Sequence, residues 1–330
     1  MNKEIIKKIA EILRTKNNFL ITAHVNPEGD AIGSQLAMYH ILKKMGKNAV
    51  IANQDDVPYN LKFLPGTEYV SKNIPEEIEG YIVIVLDCPV SERTGNVYKA
   101  FAEEQFVINI DHHVSNEFFG DLNWVDKEAS SVGEMIYSLS REMKIEIDIV
   151  LATNIYTAII TDTGMFNYDN TSAETHMIAG ELLKIGVSAR DLHSKIYEQR
   201  SGPELRLLGR VLDTLTLNED KRIAHLTLTK EMYNNDLGSK NIPTDGFINF
   251  ARSVKGVEVA VFFRESSEDK KKINVSFRSS EKINVNSLAS RFGGGGHEKA
   301  AGCVLLCGLD EAKKEILQEV EKELREKFKA

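Results

Sequence analysis

The sequence predicts an α/β protein of two domains, the first built on a mostly parallel sheet. Over the first 190 residues, short apolar runs rich in β-branched side chains alternate with helix-length segments, the rhythm of strand–helix units stacked into one sheet. Three of those runs and one apolar helix stop at a His or a carboxylate, as elements do at the ligand-binding lip of an open sheet. At 330 residues the chain is also long for a single core.

The elements follow in order. A helix over 3–15 leads to a strand at 19–24, where Phe19-Leu20-Ile21-Thr22-Ala23 runs into His24-Val25-Asn26-Pro27-Glu28-Gly29-Asp30. A helix over 30–45 and a strand at 48–53 come next. Tyr81 to Leu86 is aliphatic and largely β-branched, which gives a strand at 81–87 ending on Asp87. Phe106 to Ile110 gives a strand at 106–111, followed at once by His112 and His113. Helices at 131–144, 148–160 and 172–185 complete the domain. Ser130-Ser131 with Glu134 reads as a capping box for the first of them, and the apolar Ile149–Ile160 stops at Thr161-Asp162-Thr163-Gly164.

From about 188 to 212 the chain turns polar around the breaker Gly202-Pro203, and an amphipathic segment begins at Glu204. Residues 191–212 therefore read as an ordered helical connector between a domain at 1–190 and a smaller α/β domain at 213–330. In the latter, strands are expected at 222–228, 257–264, 272–278 and 303–306, and helices at 243–253, 284–291 and 309–328.

Composition narrows the function. Hydrophobic residues at 42% and charged residues at 27% describe an ordinary soluble protein. No apolar run reaches membrane-spanning length and the first residues lack a signal-peptide layout, so a cytoplasmic location is the expectation. The three cysteines, Cys88, Cys303 and Cys307, have no metal-knuckle spacing and read as small buried apolar residues. A net charge of −8 argues against a long duplex footprint, though not against a short nucleotide held by a few Arg.

The chemistry gathers in His24, Glu28, Asp30, Asp87, His112, His113 and Asp162. Ionised groups converging at one lip must neutralise one another through bound cations. Hard oxygens with imidazoles and no Cys suit Mn²⁺ or Mg²⁺ better than structural zinc. The set is too large for one open site, so two cations are expected, about 3.5–4 Å apart, activating a water and clamping phosphoryl oxygens. Gly29, Gly33 and Ser34 open the following helix, either as a turn or as a cradle for a phosphate. Phe292-Gly293-Gly294-Gly295-Gly296-His297 reads as backbone wrapped around an anion rather than a hinge, with Arg264 and Arg278 as bidentate phosphate contacts on neighbouring strands. His40, His176, His193 and His225 read as surface or core histidines, and Trp124, Phe118 and Phe119 as core rather than base-stacking residues.

The motifs HVNPEGDAIGS, Asp87, DHH and TDTG, followed by GGGGHEKAAG, resemble the DHH phosphoesterase superfamily with its DHH-associated C-terminal domain, over essentially the whole chain. The nearest resemblance is to its bacterial nanoRNase/pAp phosphatase branch. That resemblance implies two Mn²⁺ ions (Mg²⁺ or Co²⁺ as substitutes) on His24, Glu28, Asp30, Asp87, His112 and Asp162, with Asp87 bridging and catalytic together with His113 near the scissile phosphate. It implies substrate contacts from Ser34, Arg264, Arg278, Gly294, Gly295, Gly296 and His297, with the site in a cleft between the domains. The implied reaction is hydrolysis of short RNA to mononucleotides and of 3′-phosphoadenosine 5′-phosphate (pAp) to AMP, and the partners are those nucleotides, with no long duplex, no membrane, and room for a homodimer. Glu28 departs from the family's usual Asp but, one methylene longer, can still bind a hard cation. Two alternatives stand beside this reading: a cyclic di-AMP or linear pApA phosphodiesterase, and a non-catalytic nucleotide- or RNA-binding protein.

Overall fold

The structure is a computed structural model that describes residues 3–74, 79–101, 105–234, 242–266, 269, 271–280, 282–296 and 298–328. The chain forms two units, Met1–Gln199 and Arg200–Ala330. Unit 1 contains α1 (Lys3–Thr15), β1 (Asn18–Thr22), α2 (Gly29–Lys44), β2 (Asn48–Ala52), β3 (Val70–Ser71), β4 (Ile82–Leu86), α3 (Tyr98–Phe101), β5 (Phe106–Asp111), β6 (Leu122–Val125), α4 (Val132–Met143), α5 (Ile149–Asp162), α6 (Ala173–Ile185) and α7 (Ala189–Tyr197).

Its six strands form one sheet in the order β3-β2-β1-β4-β5-β6, and every pairing is parallel. The order reverses between β1 and β4, so their C-terminal ends flank a topological switch point, where open sheets bind ligands. Strand side chains alternate between two cores. Phe19, Ile21, Ile51, Ile84, Ile108 and Ile110 face the larger one with α1, α2, α4, α5 and α6. Leu20, Val83, Val85 and Val107 face a smaller one with Cys88 and Val97.

Helix α5 is apolar almost all round because other helices cover it. A Cβ on Gly33 would come 2.5 Å from the Asn154 carbonyl oxygen, and one on Gly29 would overlap Thr161. These glycines let α2 cross α5 closely, a helix-packing role that the phosphate-cradle expectation did not contain. The Ser130/Glu134 expectation is half met. Ser131 caps α4 by accepting from Glu134 N, but the Glu134 side chain accepts the hydroxyls of Ser130 (2.6 Å) and Thr175 (2.9 Å), tying α4 to α6.

Unit 2 contains α8 (Gly202–Leu212), β7 (Thr216–Leu217), β8 (Ile223–Leu228), α9 (Lys230–Asn234), α10 (Ile248–Arg252), β9 (Val259–Glu265), β10 (Lys272–Ser279), α11 (Val285–Ser290), β11 (Gly295–Gly296), β12 (Ala300–Leu306) and α12 (Leu309–Phe328). Its sheet runs β11-β12-β10-β9-β8-β7, with β8–β9 parallel and the other pairs antiparallel. Val259, Val261 and Phe263 of β9 pack toward α11 and α12, while Ala260 and Phe262 pack toward α8 and α10. The helix expected over 243–253 is shorter, a 3₁₀ turn at Asp245–Phe247 leading into α10. Cys88 and Cys303 are buried, and Cys307 lies one residue past the end of β12. Among the described residues, no helix is long and apolar enough to cross a membrane.

Candidate metal centre

Three adjacent parallel strands bring their C-terminal ends to one edge, and each delivers part of the site. His24 follows β1 by two residues, Asp87 directly follows β4, and His112 and His113 directly follow β5. Asp30 comes from the first turn of α2 and Asp162 is the last residue of α5. Asp87 adopts a left-handed backbone, φ 53°, which costs most L-residues roughly 1–2 kcal/mol and which Asp and Asn tolerate best. Its N–H donates to the Ile110 carbonyl at 3.1 Å, which fixes this turn against β5.

Asp87 meets all three imidazoles. Its carboxylate oxygens lie 3.5 Å from His24 Nε2, 3.6 Å from His112 Nε2 and 3.5 Å from His113 Nδ1. His112 Nε2 in turn lies 3.8 Å from Asp30 and 3.6 Å from Asp162. Two tight ligand groups result, Asp87–His112–His113 and Asp30–His112–Asp162, which share His112. Most of these separations exceed good hydrogen bonds. They are close to the edge of a coordination shell, because two donors about 2.1 Å from one ion stand roughly 3.0–3.6 Å apart at octahedral or tetrahedral angles.

The histidine tautomers sharpen the point. His24 Nδ1 is 2.7 Å from the Val25 carbonyl oxygen and His112 Nδ1 is 3.1 Å from that of Ala129. A carbonyl only accepts, so each Nδ1 carries the proton and each neutral ring turns its Nε2 lone pair toward carboxylates. Lone pairs facing anions repel unless a proton or a cation lies between them. Burial works to lower the pKa of His112, but Asp87, Asp162 and Asp30 carry it well above the usual imidazole range. His24 is likewise raised, against burial, by Asp87. Asp30 is raised well above the carboxylate range by desolvation and then by Asp87. Desolvation pushes Asp162 up to about 6, His112 opposing and Asp87 adding to the rise. Burial would raise Asp87 too, but His112, His24 and His113 hold it well below the carboxylate range. The residues therefore fit a divalent-cation site, where cations would take the places that protons otherwise fill.

Supporting residues fix the ligands. Asp30 accepts the N–H groups of Val132 (2.7 Å) and Gly133 (3.0 Å) at the start of α4, and the Ser34 hydroxyl at 2.8 Å. Ser34 is fully buried behind that carboxylate. Glu28 is the N-cap residue of α2; its side chain is exposed, and its charge reaches Asp162 without entering either tight group.

In unit 2, Arg264 and Arg278 lie on one face of the β9–β10 ladder but four rows apart, since Arg264 pairs with Asn274 and Arg278 with Ala260. Arg264 donates to Thr244 Oγ1 at 2.9 Å, and Arg278 donates to the Phe277 carbonyl at 2.9 Å. Arg278 is opposite Ala300, next to the row in which Gly296 pairs with Ala301, so Arg278 and the glycine segment are neighbours while Arg264 is not. A Cβ on Gly294 would overlap the backbone of Gly302 and Cys303, and one on Gly296 would meet the Ala300 carbonyl oxygen at 2.5 Å. These glycines thus let the segment lie flat on β12. His297 lies outside the described residues.

Residues 18–159 match the DHH family, N-terminal domain, and residues 228–326 match the DHHA1 domain. The bifunctional oligoribonuclease and PAP phosphatase NrnA of Thermus thermophilus is 35% identical over 97% of this chain and 95% of that protein. The chain belongs to the DHH family. The protein of the same name from Bacillus subtilis is 31% identical over 88% of this chain and 91% of its own length. A solved structure of an exopolyphosphatase-related protein from Bacteroides fragilis superposes with a TM-score of 0.90 at 31% identity, covering 97% of this chain and 96% of that one.

The Asp of the DHH motif, expected with the two His at the lip of the sheet but outside the ligand set, supports the turn from beneath. Asp111 is fully buried, and its Oδ1 accepts from His113 Nδ1 at 2.7 Å while Oδ2 accepts from Asn116 at 2.6 Å. Asn116 also donates to Asn109, which donates to the Cys88 carbonyl, so a buried amide network underlies the DHH turn. Asn170 was missed; its amide donates to the Ser130 carbonyl (3.0 Å) and to Asp162 Oδ2 (3.2 Å). Asp111 is legible from its place between a strand and two His. Asn170 is not, because it is eight residues from Asp162 in an irregular stretch.

Proposed function

We propose that this DHH phosphoesterase is a Mn²⁺-dependent enzyme that hydrolyses short oligoribonucleotides to mononucleotides and removes the 3′-phosphate of pAp to leave AMP. The observation that carries the reading is the pair of ligand groups sharing His112 at the switch point of a parallel sheet. Near full-length similarity to proteins named bifunctional oligoribonuclease and PAP phosphatase supports the substrate class.

In this reading His24, Glu28, Asp30, Asp87, His112 and Asp162 would hold the two cations. Bound Mn²⁺, or Mg²⁺ or Co²⁺ in its place, would lower the pKa of an attacking water and neutralise charge on the phosphoryl oxygens. The protein's own groups do the rest. His113, oriented by Asp111 at 2.7 Å, is the side chain placed to hand a proton to the leaving oxygen. Arg278 with Gly294, Gly295, Gly296 and His297 binds a phosphate of the substrate, and Arg264 contacts it farther along the same sheet face. Ser34 acts through Asp30, to which its hydroxyl is bonded.

The test is protein stripped of metal with EDTA, then given Mn²⁺ and offered a diribonucleotide, pAp, pApA and cyclic di-AMP. Turnover of the diribonucleotide and of pAp only after Mn²⁺ is restored is expected. Tight binding without turnover of any of them would overturn the enzymatic reading, and turnover confined to cyclic di-AMP would overturn the substrate assignment.

A further inference from the structure

The chain leaving Asp87 forms a 3₁₀ turn, Ser91–Val97, that is locked to the loop carrying His24. Val25 N–H donates to the Arg93 carbonyl oxygen at 2.7 Å, while the Val25 carbonyl accepts from His24 Nδ1 at the same distance. One residue therefore couples the backbone of Arg93 to a ligand imidazole. The turn is held from its other side as well. The buried Thr94 hydroxyl donates to the Ser91 carbonyl at 2.8 Å, and Asn96 N–H donates to Gln54 Oε1 at 3.0 Å. Gly95, at φ 67°, sits where a Cβ would come 2.7 Å from Val25.

On this fixed turn the Arg93 side chain is exposed. Its charge acts on both His24 and Cys88, which flank the metal centre in sequence and in space. Among the described residues no carboxylate pairs with it, whereas Lys72 pairs with Asp56, Lys44 with Asp148 and Lys195 with Asp191. A chain with net charge −8 thus carries, on a backbone-fixed turn bonded to the His24 loop, a guanidinium with no carboxylate partner among the described residues. Guanidinium suits bidentate phosphate contact, and a guanidinium that need not first leave a carboxylate partner binds an incoming phosphate without that cost.

We propose that Arg93 contacts the scissile phosphate of the substrate from the rim of the metal centre. This rests on the phosphoesterase reading given above. Because the scissile phosphate is common to every substrate, Arg93 should matter for all of them, unlike Arg278, whose contact lies elsewhere on a nucleotide.

The test compares Arg93→Ala, Arg93→Lys and Arg278→Ala on pAp, a diribonucleotide and bis-p-nitrophenyl phosphate. Arg93→Ala should lose about 10- to 100-fold in kcat/KM on all three, with Mn²⁺ affinity by calorimetry within twofold of wild type and partial recovery in Arg93→Lys. Arg278→Ala should lose far more on the two nucleotides than on bis-p-nitrophenyl phosphate. A loss confined to the two nucleotides, a loss below twofold, no recovery with Lys, or weakened Mn²⁺ binding would overturn the proposal. Calorimetric binding of pAp to the Mn²⁺-loaded protein is the second readout and should drop at least fivefold in Arg93→Ala. That measurement decides the matter even if the wild-type protein turns nothing over, an outcome that would overturn the phosphoesterase reading instead; unchanged pAp binding would overturn the role of Arg93.

Discussion

His112 Nδ1 donates to the Ala129 carbonyl oxygen at 3.1 Å, and that bond sets the electronic character of the whole site. It commits the proton to the far side of the ring and turns Nε2 toward Asp30, Asp87 and Asp162 at 3.6–3.8 Å. Ala129 belongs to the turn that opens α4, whose first N–H groups hold Asp30. One helix start therefore orients an imidazole and a carboxylate together, and the ligand set is positioned by backbone rather than by side chains alone.

Asp87→Asn should abolish turnover on every substrate, by at least about 10³-fold. Asn tolerates the left-handed backbone at this position, so the fold is retained, and removing one charge from a crowded cluster leaves thermal stability near wild type. Steady-state rates with Mn²⁺ alongside a melting curve check this; near wild-type turnover would mean that Asp87 holds no essential cation.

Asn170→Ala should weaken Mn²⁺ binding by about 10- to 100-fold, the usual loss when a partner of a ligand is removed. The side chain of Asp162 is 34% exposed and loses its tether to the Ser130 turn in this variant. Calorimetric Mn²⁺ titration is the measurement, and unchanged affinity would show that Asp162 is held without Asn170.

Much of this candidate site was legible in the sequence because its His and carboxylate residues lie at the ends of apolar runs. β1, β4 and β5 are marked by Phe19–Thr22, Ile82–Leu86 and Phe106–Ile110, so the residues that follow them are placed by the strands themselves. β3 and β6 were missed. Val70–Ser71 is two residues long, and Leu122–Val125 buries only Trp124 fully, so neither has the alternation that signals a strand. His40, expected as a surface or core histidine, has its Nε2 2.9 Å from Asp148, 108 positions away. Spacing along the chain cannot report a contact between helices. Gly29 and Gly33 suggest a phosphate cradle or a turn from the sequence, and the close crossing of α2 over α5 gives them a packing role that spacing does not report.

Metal binding should release protons. Asp30, Asp162, His24 and His112 all bind protons more tightly in the folded, metal-free site than in the unfolded chain. Groups with raised folded pKa values lose their stabilising contribution as pH rises, so the metal-free protein weakens from about pH 4 upward through the raised values. Mn²⁺ competes with those protons, so its affinity falls as pH drops through about 6, where Asp162 titrates. Calorimetry at pH 7 in buffers of different ionisation enthalpy should show proton release on binding, and the rise in Tm on adding Mn²⁺ should be larger at pH 8 than at pH 6. Absence of proton release would contradict this account of the cluster.

Asp148 gives the opposite pH dependence at a place remote from the metal centre. It caps α5 through Leu151 N and accepts from His40 Nε2 and from Lys44 Nζ at 3.0 Å, which holds its carboxyl below the usual carboxylate range despite partial burial. A depressed folded pKa contributes stability that is present above about pH 4 and is lost as pH falls below it. With the side chain partly exposed, the cap dominates, and Asp148→Ala should cost roughly 1–2 kcal/mol near pH 7. Urea unfolding at pH 7 and pH 3 checks this: the gap between wild type and variant should shrink at pH 3, and an equal gap would contradict it.

The central claim, a cation-dependent hydrolase of short RNA, is tested most directly by steady-state kinetics on RNA of two to about twenty-four nucleotides at fixed salt, with Mn²⁺ present and then chelated. An acidic chain offers little attraction to a long phosphate backbone, so recognition should depend on a few phosphates near the chain end, whatever the base sequence. The account predicts mononucleotide products, a steep fall in kcat/KM beyond a few nucleotides, and no turnover without the metal. Equal efficiency on the longest RNA and the dinucleotide, or full activity after chelation, would contradict it.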